Sequence, residues 1–397
     1  MRNCSGKKTP SLVRAGDNKL LCWTDLGTVD YQKTAEKLIR HKKLDTVKQY
    51  KLACLYCLED YIPALWEKLP EEDKTYFYKA EESSQVTEPE LEFCWPYILK
   101  GEGNKLDNMP GRPSGNPTTF NQYAFEYSAS EGNKAASEYF FRKLTNDERE
   151  DSLFEAAQTL VIERSEDFES FPDSKLSDTF CYLLSLMSPG QQVKFFQKQP
   201  YEVLMCLLDW PWQDLFMVVA ERIWNFLSAF DYVKLLQDIS KRAQLFHVRT
   251  ELFQEFFLRG SCDFRNHFVD ELCRNGVSFK ACFDYQYSET IKVVLRNVDS
   301  AHKKRLVSCE SFLSIFCRSV LNGKRHLVEL LLREATLSEE DKAGVKEDFR
   351  GYLAVAQRRR QTADWSINKL LEQFCHILDE SKENAPRKTN SDAEKLY

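Results

Sequence analysis

The sequence predicts an all-α fold of stacked helical hairpins, an irregular α-solenoid with few or no strands. Three observations predict it. Apolar residues recur at three- and four-residue steps, as in Leu38, Leu44, Val47, Tyr50, Leu52, Leu55, Leu58, Ile62 and Leu65, the period of one helix face. Sustained period-two alternation, the mark of a half-buried strand, is almost absent. Gly (14) and Pro (13) are scarce in 397 residues, too few for the many tight turns of a sandwich or barrel.

Residues 1–19 are polar, with Gly6, Pro10 and Gly16, and are expected to form a disordered tail. An N-terminal helical segment is expected over 20–99. Within it Glu71–Pro89 reads as a solvated helix followed by a loop, and 91–99 as a short helix interrupted by Pro96. Residues 100–119 hold Gly101, Gly103, Pro110, Gly111, Pro113, Gly115 and Pro117. This density of turn formers marks a loop or linker between the N-terminal segment and the rest.

A helical array is expected over 120–379. Thr145 followed by Glu148 has capping-box spacing, in which two side chains satisfy free backbone donors at a helix start. Ser188-Pro189-Gly190 separates two helices. Gln199-Pro200 and Trp210-Pro211 end two more, because the residue before proline disfavours helical geometry. Further helices are expected over 214–228, 231–241, 245–258, 264–274, 288–297, 301–307, 311–321, 325–335, 338–358 and 362–379. Residues 380–397 are charged and polar and are expected to form a second disordered tail.

Some of these hairpins share a frame. In 123–144, Ser128 and Ala129 precede Gly132, and the pairs Ala136-Ser137 and Phe140-Phe141 follow it. In 312–335, Ser319 and Val320 precede Gly323, and Leu327-Val328 and Leu331-Leu332 follow. A weaker copy has Ala53-Cys54, then Cys57 in place of glycine, then Ile62, Leu65 and Trp66. The frame has a packing logic. Small residues let the second helix approach, a turn glycine accepts positive φ, and the paired apolar residues bury in the next hairpin. It resembles the helix–turn–helix part of an ankyrin repeat. The Thr-Pro-Leu-His box of that family is replaced by Tyr123-Ala124-Phe125-Glu126 and Ser314-Ile315-Phe316-Cys317. The resemblance is therefore to a degenerate, ankyrin-like array, and it implies a surface for binding protein partners.

Charge and cysteine usage set bounds on function. Fifty-five Lys and Arg against 61 Asp and Glu give a net charge of −6, which does not draw the whole chain to nucleic acid. Thirteen cysteines, mostly inside apolar helical patterns, suit reduced, packed thiols. The N-terminal residues lack the apolar run of a signal peptide, and no apolar stretch approaches the ~20 residues of a membrane span. A cytoplasmic or nuclear protein with no membrane contact is expected.

Motifs for chemistry are sparse. Cys54-x-x-Cys57 has metal-ligand spacing, but a structural zinc needs further ligands, and the pair falls in an apolar helix, so packed core thiols are favoured. His326-x-x-Glu329 and His267-x-x-Asp270 place an imidazole and a carboxylate on one helix face without the facing carboxylates of a di-metal site. No phosphate-binding loop or hydrolase elbow occurs. No catalytic residue, metal ligand or cofactor is therefore assigned, and the expected function is a non-enzymatic protein-interaction scaffold. Trp210 and Trp212, flanking Pro211, are its candidate partner-binding anchors. The alternative is nucleic-acid or polyanion binding by basic helices around 296–333, through Lys303, Lys304, Arg305, Lys324 and Arg325.

Overall fold

The computed structural model describes residues 20–41, 44–79, 90–108, 119–166, 174–208, 211–244, 248–249, 251–274, 288–322, 325–358 and 366–380. Among them are 21 α-helices and no strand. One isolated bridge joins Trp23 to Val29. The all-α expectation holds. The chain divides into two compact units, Met1–Ile223 and Trp224–Tyr397.

The first unit contains α1 (Tyr31–Arg40), α2 (Thr46–Leu55), α3 (Ile62–Lys68), α4 (Glu71–Lys79), α5 (Leu91–Leu99), α6 (Phe120–Ser130), α7 (Lys134–Lys143), α8 (Asn146–Glu166), α9 (Ser174–Leu186), α10 (Pro189–Lys198), α11 (Pro200–Cys206) and α12 (Gln213–Ile223). Short polar residues start many of them by accepting a hydrogen bond from a free amide of the first turn. Asp30, Asp45 and Asn133 do so for α1, α2 and α7. Thr119 with Gln122 and Ser188 with Gln191 form full capping boxes on α6 and α10. The box expected from Thr145 and Glu148 is present: Glu148 accepts from the Thr145 amide (2.7 Å), and Thr145 Oγ1 accepts from the Glu148 amide (3.4 Å).

Neighbouring helices pair, and helices also rest on those two or three places along: α6 packs on α7 and α8, α7 on α9, α9 on α11, α10 on α12, α2 on α5 and α8 on α11. The small residues of the shared frame are buried in the two copies of the first unit, whereas Ser319 and Val320 of the third copy are half-buried. Ala53, Cys54, Ala129, Ala136 and Ser137 are fully buried. The turn positions of the first two copies both take left-handed backbone, Cys57 at φ 49° and Gly132 at φ 69°. Gly323, the third, lies outside the described residues.

The second unit contains α13 (Ala229–Gln244), α14 (Glu251–Arg259), α15 (Cys262–Arg274), α16 (Ser288–Asn297), α17 (Ser300–Ser308), α18 (Glu310–Leu321), α19 (Arg325–Ala335), α20 (Glu339–Arg358) and α21 (Ile367–Glu380). Two interleaved rows of contacts organise it. One runs from α13 to α15 to α17 to α20, the other from α14 to α16 to α19 to α21. Aromatic rings fill the space between the rows. Tyr232, Phe256, Phe264 and Trp224 form one cluster, and Phe316, Phe349 and Phe374 another. The Phe-rich stretch 253–257 is core, as expected, whereas 279–287 lies outside the described residues.

Three expected boundaries differ. Pro96 does not interrupt α5, which runs from Leu91 to Leu99 through it. The helix expected over 214–228 stops at Ile223 and gives way to a 3-10 turn, Trp224–Phe226. The helix expected from 245 begins at Glu251, and Val248 and Arg249 are not helical. Within the Gly/Pro-rich 100–119 stretch, Gly103–Asn108 form a 3-10 helix, and Asp107 accepts from the Phe120 amide at the start of α6 (2.6 Å). The tails 1–19 and 381–397 and the rest of that stretch, 109–118, lie outside the described residues.

Candidate functional site

The first unit carries a cleft of about 360 Å³ at one rim, where helix ends and hairpin turns converge. The Gly132-Asn133 turn lines it. Asn133 caps α7 by accepting from the Ala136 amide (3.2 Å), and its amide group donates to the carbonyl of Leu55, the last residue of α2 (2.6 Å). One side chain thus joins two hairpin turns. Gly132 permits the approach of α9: a Cβ there would lie 3.0 Å from the Leu176 nitrogen and 3.1 Å from the Lys175 carbonyl carbon.

The cleft is acidic. Asp30 at the start of α1, Glu90 and Glu92 at the start of α5, Glu131 after α6, Glu138 in α7 and Asp178 in α9 line it together with Lys134 and Lys175, and of these Asp30 is paired with Lys33 (3.1 Å), Glu92 with Lys51 (3.3 Å) and Glu138 with Lys134 (4.0 Å). Burial pushes the Asp178 carboxyl up; the nearby Asp30 adds to this and Lys134 opposes it. Three tyrosines, Tyr31, Tyr56 and Tyr127, supply ring faces. The Lys175 ammonium already occupies one, 4.3 Å from the centroid of Tyr31. Burial raises the Tyr56 hydroxyl to about 12, so it stays a neutral donor at physiological pH. Excess carboxylates beside aromatic faces form a setting for a cationic side chain, which gains ion pairs and cation–π contact together.

None of these residues was a candidate from sequence. The carboxylates come from separate elements between Asp30 and Asp178, and only the stacking gathers them. Their common signal is position, since most stand at or next to a helix end.

The residues singled out from sequence fall elsewhere. Trp210 lies outside the described residues. Trp212 is half-buried beside α12, and its indole N–H is buried without a hydrogen-bond partner among the described residues. Leu215 and Val218 are exposed on the same helix. In the second unit, Lys304 pairs with Asp341 (3.2 Å) and Arg305 with Asp270, while the Lys303 ammonium reaches the Thr336 hydroxyl (3.5 Å). Arg296 forks onto both carboxylate oxygens of Glu334 (2.5 and 2.7 Å). Lys324 and the side chain of Arg325 lie outside the described residues.

Cys54 and Cys57 are buried, and burial pushes both thiols up. Among the described residues no group of three or more His, Cys, Asp or Glu is arranged to hold a metal ion. No described helix is long and apolar enough to cross a membrane. The chain matches no protein-family model and no curated protein.

Proposed function

We propose that the chain is a non-enzymatic protein-interaction scaffold built on degenerate ankyrin-like helical repeats, and that the acidic cleft of its first unit receives a Lys- or Arg-bearing segment of a partner protein. The observation that carries this reading is the cleft's lining, six carboxylates and three tyrosines against two lysines. A cationic segment would exchange its water for charge-assisted hydrogen bonds there, and such complementarity sets both encounter rate and partner choice. The repeat reading draws support from the left-handed backbone at Cys57 and Gly132, the two turn positions of the shared frame that are described.

The polyanion alternative would likewise have ion pairs to displace. Of its five candidate residues, Lys304 and Arg305 are committed to Asp341 and Asp270.

A direct test measures fluorescence anisotropy of a dye-labelled Arg/Lys-rich peptide against the full chain, with an equally long Glu-rich peptide and a single-stranded oligonucleotide as comparisons. The cationic peptide is expected to bind, and Glu131→Lys with Asp178→Lys is expected to weaken it at least ~tenfold, the effect of losing two charge contacts of about 1 kcal/mol each. Preferential binding of the oligonucleotide, or cationic binding indifferent to those charge reversals, overturns the assignment.

A further inference from the structure

The second unit brings two thiols together at one helix end. Cys273 is the penultimate residue of α15, and Cys309 is the single residue between α17 and α18. The Cys273 sulfur lies 3.7 Å from the carbonyl of Arg305, and the Cys309 sulfur 3.2 Å from the carbonyl of Leu306, the next residue of α17. The Arg305 carbonyl also accepts from the Cys309 amide (3.0 Å), so one carbonyl holds the Cys273 thiol and the Cys309 main chain at the same turn. Both residues are half-buried, so neither is sealed from small reagents. This separates them from Cys54, Cys57, Cys94, Cys206 and Cys317, which are buried.

The two sulfurs have unequal chemistry. Cys309 immediately precedes α18. Its interaction with Cys273 holds its thiol below the ordinary thiol range, against the effect of burial. Cys273 is pushed up, by that same interaction and by burial. One sulfur is therefore disposed to attack and the other to wait as a protonated thiol, the division of labour between an attacking and a resolving cysteine.

We propose that Cys273 and Cys309 form a redox-sensitive dithiol, which a low-molecular-weight disulfide such as glutathione disulfide closes into an intramolecular disulfide bond. The Cys309 thiolate attacks one sulfur of the reagent. A mixed disulfide forms, the reagent's S–S bond breaks, and one glutathione leaves as a thiolate that takes a proton from water. The Cys273 thiol then gives its proton to solvent, and its sulfur attacks Cys309. The Cys273–Cys309 bond forms as the mixed disulfide breaks, and the second glutathione leaves. Two protein thiols lose two electrons and one glutathione disulfide becomes two glutathione thiols. The new bond ties the end of α15 to the α17–α18 junction and closes a loop over residues 274–308, which constrains the unfolded chain.

The test uses the full chain, reduced, desalted and exposed to glutathione disulfide. Remaining thiols are blocked with N-ethylmaleimide, and the non-reduced tryptic digest is read by tandem mass spectrometry. A linkage is expected between the peptide 266–274 and the peptide 306–318, with fragment ions placing it at Cys309 and not at Cys317. Cys309→Ser should slow loss of the Cys273 thiol at least ~tenfold, since burial holds the remaining thiol protonated. Cys273→Ser should stop at a stable glutathione adduct on Cys309. Circular dichroism of each variant checks that the helices persist, and the wild-type linkage decides the matter even where a variant fails to fold. Modification confined to exposed Cys262, with Cys273 and Cys309 still free, overturns the proposal. So does a linkage of either residue to a different cysteine.

Discussion

Tyr50 donates its hydroxyl hydrogen to the main-chain carbonyl of Glu92, 3.1 Å away, and so occupies the acceptor that Pro96 leaves open. In an uninterrupted helix the amide of residue 96 would bond that carbonyl, but proline has no N–H. A fully buried tyrosine from α2 supplies the missing donor, and α5 continues through the proline.

The two residues are therefore energetically linked. Tyr50→Phe should lower stability by about 1–2 kcal/mol, the cost of stranding a screened acceptor. In a Pro96→Ala background the same change should cost distinctly less, because alanine returns an amide to the Glu92 carbonyl. Urea unfolding of the four chains of this cycle, followed by circular dichroism, measures the coupling. Equal costs in both backgrounds would refute the link.

Gly132 should tolerate no side chain. Left-handed backbone costs a non-glycine residue about 1–2 kcal/mol, and the added Cβ would also press on the backbone of Lys175 and Leu176. Gly132→Ala should thus destabilise the first unit by about 2 kcal/mol or more, seen as a lower urea midpoint. It should also weaken cationic-peptide binding, since the turn lines the cleft.

Gly260 is constrained by a ring. A Cβ there would lie 2.4 Å from the Tyr232 hydroxyl oxygen and 2.6 Å from its Cζ. That ring is fully buried, and its hydroxyl donates to the Phe257 carbonyl (2.9 Å), so it has nowhere to swing. Gly260→Ala should cost about 1–3 kcal/mol through overpacking, and Tyr232→Phe should recover part of the loss in the double variant by removing the closest atom. Thermal unfolding of both variants provides the comparison.

Two carboxylates should move stability in opposite directions with pH. The Thr145 amide and the hydroxyls of Thr119 and Thr145 hold Glu148 below its usual range. Its contribution is complete above the unfolded value of about 4.3 and fades as pH falls through the lower folded value. Asp178, raised by burial, binds its proton more tightly when folded. Its ionisation therefore opposes folding increasingly as pH climbs from the unfolded value of about 3.9 through the folded one. Glu148→Gln should be less stable than wild type at pH 7 and converge with it in acid. Asp178→Asn should be more stable at pH 7 and likewise converge in acid. Denaturation midpoints across pH 3–7 record both trends.

Local chemistry was readable in the chain; remote partnership was not. The Thr145–Glu148 box, the break at Gln199-Pro200 and the left-handed turn at Gly132 depend on residues a few positions apart. The continuity of α5 depends on Tyr50, supplied from another helix, so Pro96 alone pointed to a break. Helix 251–259 shares its Phe-rich pattern with the residues before it, and apolar periodicity carried its expected start back to 245. The cleft was hidden for the same reason. Asp30, Glu131 and Asp178 look like ordinary solvated charges along the chain, and only the stacking of α1, α6 and α9 turns them toward a common space.

In both units helices rest on neighbours one to three places along the chain, so ordering them requires only modest loop closures, whose entropic cost grows slowly with length. A topology of this kind has low contact order, which favours fast assembly. It also lets structure nucleate at any adjacent pair and spread both ways. A lesion such as Gly260→Ala should accordingly loosen the helices beside it first, with hydrogen-exchange protection fading outward from that point.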